Sequence, residues 1–354
     1  MRLGRFVIDT HVHAQRFAAG PNLQGSQSYT DLARVMMDMI PYDNSARLLY
    51  DMERYGIDMC VLLPGTWFTN EINLQLVERY PDKFVACANA CETHHKAMRG
   101  EIEWTIEAAA AELDQLLATG KFVGIGEGIP SDPTRRSRGQ SISMTERLDE
   151  MRVILQVARK HRVPARIHTG VVQGYPLTHH AMPETIHILW LADLAAEFPD
   201  VPLILDHGGM QAGYLERWVD EALHVAGSFD HVFLETGLWW AELYEKALTD
   251  PNVGPEKLLF GTDWGASMPT AWRPAPHPRS FFQQLRKQGI VRHQVDYWGW
   301  AMRQLLKLDL PQDDLNLILG GNAIRVFRLE DRLPLTRLFR PVEGPWKEEE
   351  VRTL

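Results

Sequence analysis

The sequence is short of cysteine, of long apolar runs and of positive charge, and each shortage excludes a class of protein. Among 354 residues there are three cysteines, Cys60, Cys87 and Cys91, too few for a disulfide framework. No second Cys/His pair at zinc-finger spacing accompanies Cys87 and Cys91, so all three read as reduced, mostly buried thiols. No apolar run approaches the ~18 residues of a membrane-spanning helix. The 37 Lys+Arg against 46 Asp+Glu leave a formal net charge of −9. A nucleic-acid partner needs a basic footprint, so none is expected, and Arg135-Arg136-Ser137-Arg138 reads as solvated loop charge. Met1 runs straight into the first candidate strand without room for a leader, which predicts a cytoplasmic protein.

What the chain does have is alternation. Short apolar runs at 6–9, 59–63, 84–88, 122–126, 164–168, 203–206, 232–235 and 258–261 read as strands. Helix-patterned stretches lie between them, for example 73–80, 101–118, 145–161, 183–198, 213–226 and 238–248. Turn residues such as Tyr80-Pro81-Asp82 and Phe198-Pro199-Asp200 close most of these. Repeated strand–helix units argue for a parallel sheet, and eight of them argue for α/β architecture closed as a (β/α)8 TIM barrel. An open doubly wound sheet would carry a glycine-rich turn after its first strand. Here that position holds His11 and His13. The expected organisation is one barrel over 1–330 and a peripheral extension over 331–354 that is suited to pack on a neighbouring subunit. Residues 14–43 are too long for an ordinary βα loop, so they are expected to form an insertion over the active face. Helical segments follow the eighth strand.

The candidate chemistry sits at strand ends, which converge on one face of such a barrel. Asp9-Thr10-His11-Val12-His13 ends the first strand, and its i, i+2 spacing puts both imidazoles on one side. Glu127 ends the fourth, in Gly126-Glu127-Gly128. His168 ends the fifth, His207 the sixth and Asp263 the eighth, each beside Gly or Thr. Neutral imidazole and carboxylate together suit zinc, manganese or iron. Core packing does not explain this placement.

With those residues in view, the chain resembles the amidohydrolase superfamily. The motifs are Asp9-Thr10-His11-Val12-His13, Ile167-His168-Thr169-Gly170, Asp206-His207-Gly208-Gly209 and Gly261-Thr262-Asp263-Trp264. More narrowly it is similar to the amidohydrolase-related branch that includes aminocarboxymuconate-semialdehyde and γ-resorcylate decarboxylases. Val77 to Phe84 and Gly321-Asn322-Ala323-Ile324-Arg325-Val326-Phe327 also look like that branch. The resemblance implies one divalent metal, Zn2+ as first choice with Mn2+ or Fe2+ as alternatives, held by His11, His13, His168 and Asp263. It implies that His207 activates a water or polarises the substrate, and that Asp263 also shuttles a proton. No lysine follows the fourth strand's end, which argues against a carboxylated-lysine binuclear site. Glu127 is the exception, because its setting resembles TatD-like nucleases in which a glutamate there holds a second metal. It is therefore a candidate for a second ion or for proton transfer.

Those ligands fit two reactions. A bound metal can lower the pKa of water to ~7 and deliver hydroxide to a carbonyl. It can also hold a carboxylate and a neighbouring oxygen while Asp263 protonates carbon and carbon dioxide leaves. Trp67, Trp239, Trp240, Trp264 and Trp272 near the expected face tilt the reading towards a planar carboxylic acid and decarboxylation. Hydrolysis of an amide, lactone or carbon–carbon bond, or hydration, is the alternative. Arg16, Arg47, Arg166 and Arg273 are candidates to clamp the substrate carboxylate, with Arg166 one level below His168. By resemblance the chain forms a homodimer or a larger homo-oligomer.

Overall fold

The computed structural model describes residues 6–18, 40–64, 69–134, 142–169, 188–210, 216–265 and 296–332. Its strands are Ile8–Val12 (β1), Gln15–Ala18 (β2), Ile40–Asp43 (β3), Met59–Leu62 (β4), Phe84–Ala88 (β5), Gly124–Ile125 (β6), Ala165–His168 (β7), Leu203–Asp206 (β8), Val232–Glu235 (β9) and Leu258–Leu259 (β10). β1 and β4 to β10 form one eight-stranded sheet in chain order, with every neighbouring pair parallel. Backbone bonds bring its edges together. Thr10 N donates to Phe260 O at 2.9 Å and His13 N to Trp264 O at 2.7 Å. Helices such as Asn70–Arg79, Ile106–Ala118, Met144–His161, Glu216–Ser228 and Ala241–Thr249 lie between the strands. The architecture is the expected (β/α)8 barrel.

Burial on both faces explains the Val, Ile and Leu content of these strands. Alternate residues sort into two apolar layers. Cys60, Leu62, Phe84, Ala86, Leu203, Leu205, Val232 and Leu234 belong to the layer shared with helix residues such as Leu113 and Ile154. Ile8, Met59, Val61, Val85, Ile204, Phe233 and Leu259 fill the barrel interior, where Ala323, Val326 and Phe327 from the Asn322–Phe327 helix join them.

One strand breaks the alternation. Ile8 and Val12 are four residues apart and would share a face in a regular strand. Instead Ile8 packs in the interior layer and Val12 in the outer one. The pairing of β1 with β4 slips between them: Asp9 faces Cys60, whereas Val12 faces Leu62. Three steps on β1 match two on β4, which is a one-residue bulge. This bulge reverses the phase of β1 and turns His11 and His13 inward.

β2 and β3 pair antiparallel from Gln15 with Asp43 to Ala18 with Ile40, so the expected 14–43 insertion is rooted in a two-stranded stem. Its middle, residues 19–39, lies outside the described residues, as do 333–354 of the expected C-terminal extension. Described helices at Tyr297–Leu305, Gln312–Asn316 and Asn322–Phe327 supply the helical segment after the barrel. No helix among the described residues is long and apolar enough to cross a membrane.

Asn322 ties this segment to the last strand. Its buried amide donates to Pro255 O and Leu258 O, each at 2.8 Å. Asn322→Ala leaves both carbonyls short of a donor, and urea unfolding is expected to register a loss of about 1–3 kcal/mol.

Candidate metal centre

The bulge delivers the first two imidazoles, and neighbouring acceptors orient them. His13 Nδ1 lies 3.1 Å from Leu63 O. A carbonyl only accepts, so Nδ1 carries the proton and Nε2 faces the interior. His11 Nδ1 lies 2.9 Å from Glu235 Oε2. His168 ends β7 and His207 follows β8, so their rings approach from the opposite side. The His207 ring centroid is 4.8 Å from that of His11 and 5.0 Å from that of His168.

Two carboxylates meet these rings. Asp263 Oδ1 is 3.3 Å from His13 Nε2 and 3.5 Å from His11 Nε2. Glu127 Oε2 is 3.2 Å from His13 Nε2, while its Oε1 is 3.2 Å from His168 Nε2, 3.6 Å from His11 Nε2 and 3.7 Å from His207 Nε2. The structure therefore brings together His11, His13, His168, His207, Glu127 and Asp263, from five different strand ends. Backbone shape sets two of them. His207 and Asp263 have φ of 62° and 58°, a conformation that side-chain-bearing residues rarely adopt. Before Glu127, Gly126 has φ 136°, and a Cβ there would stand 2.6 Å from Arg166 Cβ. Only glycine fits.

The donor set fits a divalent cation. Two trios, His11–His13–Asp263 and His11–Glu127–His207, each offer ligand atoms within 4.8 Å of one another. His11 Nε2 and both ring nitrogens of His207 are buried and have no hydrogen-bond partner among the described residues. Leaving such groups unpaired costs about 1–3 kcal/mol each, a penalty that a shared cation or a substrate would remove. Electrostatics follow the clustering. Burial opposes charge on His13, but Glu127 and Asp263 outweigh it and lift the imidazole to about 9. Burial also works against His11 and His207, and carboxylates again raise both. Glu127 is held well below the usual carboxylate range, because the imidazoles, His13 foremost, overcome its burial.

A buried polar layer underlies the histidines. Asp9 accepts from His11 N at 2.9 Å, from Thr262 N at 3.2 Å and from the side chains of Thr262 and Trp298. Burial nevertheless pushes its carboxyl up to about 7. Arg166 is fully buried, pairs with Asp206 at 2.6 Å and donates to Thr10 O at 2.6 Å. That depth matches its expected level on the strand. Its guanidinium is already occupied and closed to solvent, so Arg166 supports the centre from beneath and does not serve as a substrate clamp. Arg47 is half-exposed and donates to Asp51 at 2.8 Å. Trp264 is buried, stacks on Trp298 at 5.9 Å and donates to the same Asp51 at 3.2 Å, which makes it a brace for the closing strand end. Trp239 is also a brace: its Nε1 donates to His207 O at 2.8 Å. Trp67, Trp272 and Arg273 lie outside the described residues, and the Arg16 side chain is likewise not described.

Sequence reasoning passed over Glu235. It ends β9, is fully buried and accepts from His11 and from His207 N, both at 2.9 Å. Burial opposes its ionisation, yet His11, His207 and Arg166 hold it down at about 2. The signal was present, since Glu235-Thr236-Gly237 repeats the pattern of a polar residue at a strand end beside Thr and Gly.

A parallel barrel with imidazoles and carboxylates at the C-terminal ends of its strands has the form of a barrel enzyme with a candidate metal centre. The chain belongs to the amidohydrolase family, whose model matches residues 8–329. No curated protein matches the sequence. Among solved structures it is similar to 5-carboxyvanillate decarboxylase from Sphingomonas paucimobilis, with TM-score 0.51 and 13% identity over 92% of this chain and 99% of that one. It is also similar to the TatD homologue YjjV from Escherichia coli, with TM-score 0.50 and 13% identity over 92% and 99%. At such identities these likenesses establish the fold.

Trp239→Phe tests the bracing of His207. It removes the indole N–H and leaves the His207 carbonyl with Met210 N, at 2.8 Å, as its other donor, so a stability loss of about 0.5–1.5 kcal/mol is expected in denaturant titration.

Proposed function

We propose that the chain is a metal-dependent lyase that removes carbon dioxide without oxidation from a small aromatic or unsaturated carboxylic acid. The observation that carries this reading is the meeting of four imidazoles with Glu127 and Asp263 at one end of the barrel. His11, His13, His168 and Asp263 are the proposed ligands of one divalent ion, Zn2+ first, with Mn2+ and Fe2+ as alternatives. Their nitrogen-rich set with a carboxylate oxygen suits these ions. When bound, the metal supplies Lewis acidity that draws electron density towards substrate oxygens.

The chain's own groups then move the proton. Asp263 gives a proton to the carbon that bears the substrate carboxylate. The bond to the carboxylate breaks, its electron pair returns to the unsaturated system, and carbon dioxide leaves; solvent replaces the proton. His207 donates to the leaving carboxylate and orients it, a role supported by ring nitrogens that have no hydrogen-bond partner among the described residues. The choice of reaction also follows the activity that names the Sphingomonas protein. We assign the enzyme to the cytoplasm and to a homodimer or larger homo-oligomer.

A second reading uses the same residues. Glu127 touches all four imidazoles. A carboxylate so placed suits a general base for water, as in hydrolysis of an amide, lactone or carbon–carbon bond, or in hydration. It also suits a ligand for a second ion.

Purified protein is expected to contain one zinc, manganese or iron ion per chain, and added metal at about 100 times Kd to stabilise it by about 2.7 kcal/mol. Full activity in a preparation stripped of metal defeats the assignment. Asp263→Asn is expected to abolish turnover while leaving the circular dichroism spectrum intact. Headspace carbon dioxide from a panel of hydroxybenzoates and muconate-type acids distinguishes the reactions: gas release supports the lyase, and product without gas supports the hydrolase or hydratase.

A further inference from the structure

We infer that Glu235 is a positioning residue that decides which ring nitrogen of His11 carries the proton, and so whether Nε2 can serve as a ligand. The inference rests on the metal-centre reading above. It comes from a conflict at a single atom. His11 Nδ1 has two neighbours that ask for opposite tautomers. Arg166 Nη2 lies 3.3 Å away, and a guanidinium only donates. Were that contact to govern, Nδ1 would accept, the proton would sit on Nε2, and the lone pair would be turned away from Glu127 and Asp263. Glu235 Oε2 lies 2.9 Å away and, being ionised, only accepts. It requires the proton on Nδ1 and frees Nε2.

The shorter, charge-assisted contact prevails. Arg166 loses little, since it is paired with Asp206 at 2.6 Å and bonded to Thr10 O at 2.6 Å. Glu235 also governs the other side of the centre. The same Oε2 accepts from His207 N at 2.9 Å, holding the residue whose φ is 62°. One oxygen therefore orients a ligand candidate and the residue proposed to hold the substrate.

The barrel is shaped to hold that oxygen still. Glu235 is fully buried, and glycines stand where its carboxylate needs room. A Cβ on Gly261 would come 2.0 Å from Glu235 Oε1, and one on Gly237 would come 2.8 Å from the same atom. Gly261→Ala thus offers a way to displace the carboxylate without altering its chemistry. Glu235→Gln does the reverse, keeping the volume and removing the charge.

The test uses full-length protein and Zn2+ as the probe. Zinc affinity is measured by chelator competition, and the His11 Nδ1–H signal is followed in zinc-loaded protein carrying 15N-labelled histidine. Wild type is expected to bind zinc and to show a strongly downfield, slowly exchanging Nδ1–H. Glu235→Gln and Gly261→Ala are expected to bind zinc about 10–100-fold more weakly, with the signal moved upfield and exchanging faster. Circular dichroism of the metal-free proteins identifies a variant that fails to fold, in which case the other decides. Wild-type affinity with an unchanged signal in a folded variant overturns the inference. A wild-type protein that binds neither zinc, manganese nor iron overturns the metal-centre reading itself, and this inference with it.

Discussion

A one-residue bulge in β1 is the constraint on which the rest of the site depends. Without it, the residues that share a face with Ile8 would be Thr10 and Val12, and the two imidazoles would point into the helix layer. The slip between Asp9 and Val12 against β4 reverses that phase. The cost is a local break in the ladder, and it is offset by Asp9. Its carboxylate collects the amides of His11 and Thr262 and the side chains of Thr262 and Trp298. The bulged strand is thereby fastened to the strand end that presents Asp263.

Beneath the convergence of imidazoles lies a second set of ionisable groups that sees no solvent. Asp9, Arg166, Asp206 and Glu235 are all fully buried. Buried ionised groups persist only when paired or well supplied with hydrogen bonds. Arg166 and Asp206 satisfy each other, Asp9 is surrounded by donors, and Glu235 is held by His11 and the His207 amide. Each member fixes a residue above it, so the layer converts the rigidity of the barrel interior into definite ring orientations.

Much of this was legible in the sequence, for a simple reason. In a parallel barrel the functional positions are strand ends, and strand ends are marked by the close of an apolar run beside Gly or Thr. That rule places His11, His13, Glu127, His168, His207 and Asp263 together, and the structure does bring them together. What stayed hidden depends on phase and pairing. The i, i+2 spacing puts His11 and His13 on one side of β1, but the bulge that decides which side has no signature in Asp9-Thr10-His11-Val12-His13. Arg166 reads as an anion clamp one level below His168, but Asp206 already occupies its guanidinium. Glu235 obeys the strand-end rule but lies outside the motifs that carry the family resemblance. Trp239 and Trp264 read as cavity walls and proved to be braces, because a tryptophan's N–H partner is a tertiary fact.

The bonds at Asp9 also say something about when the centre can come into being. Thr262 is 253 residues downstream of Asp9, and Trp298 is 289 residues downstream. Contacts of such separation are the slow ones to form, since a long stretch of chain must be ordered before they are rewarded. During synthesis the strand that carries the first two histidines precedes its fastening partners by 253 and 289 residues. The pair His11 and His13 is therefore fixed by bonds that span most of the described barrel, and the centre depends on the whole of that barrel being closed.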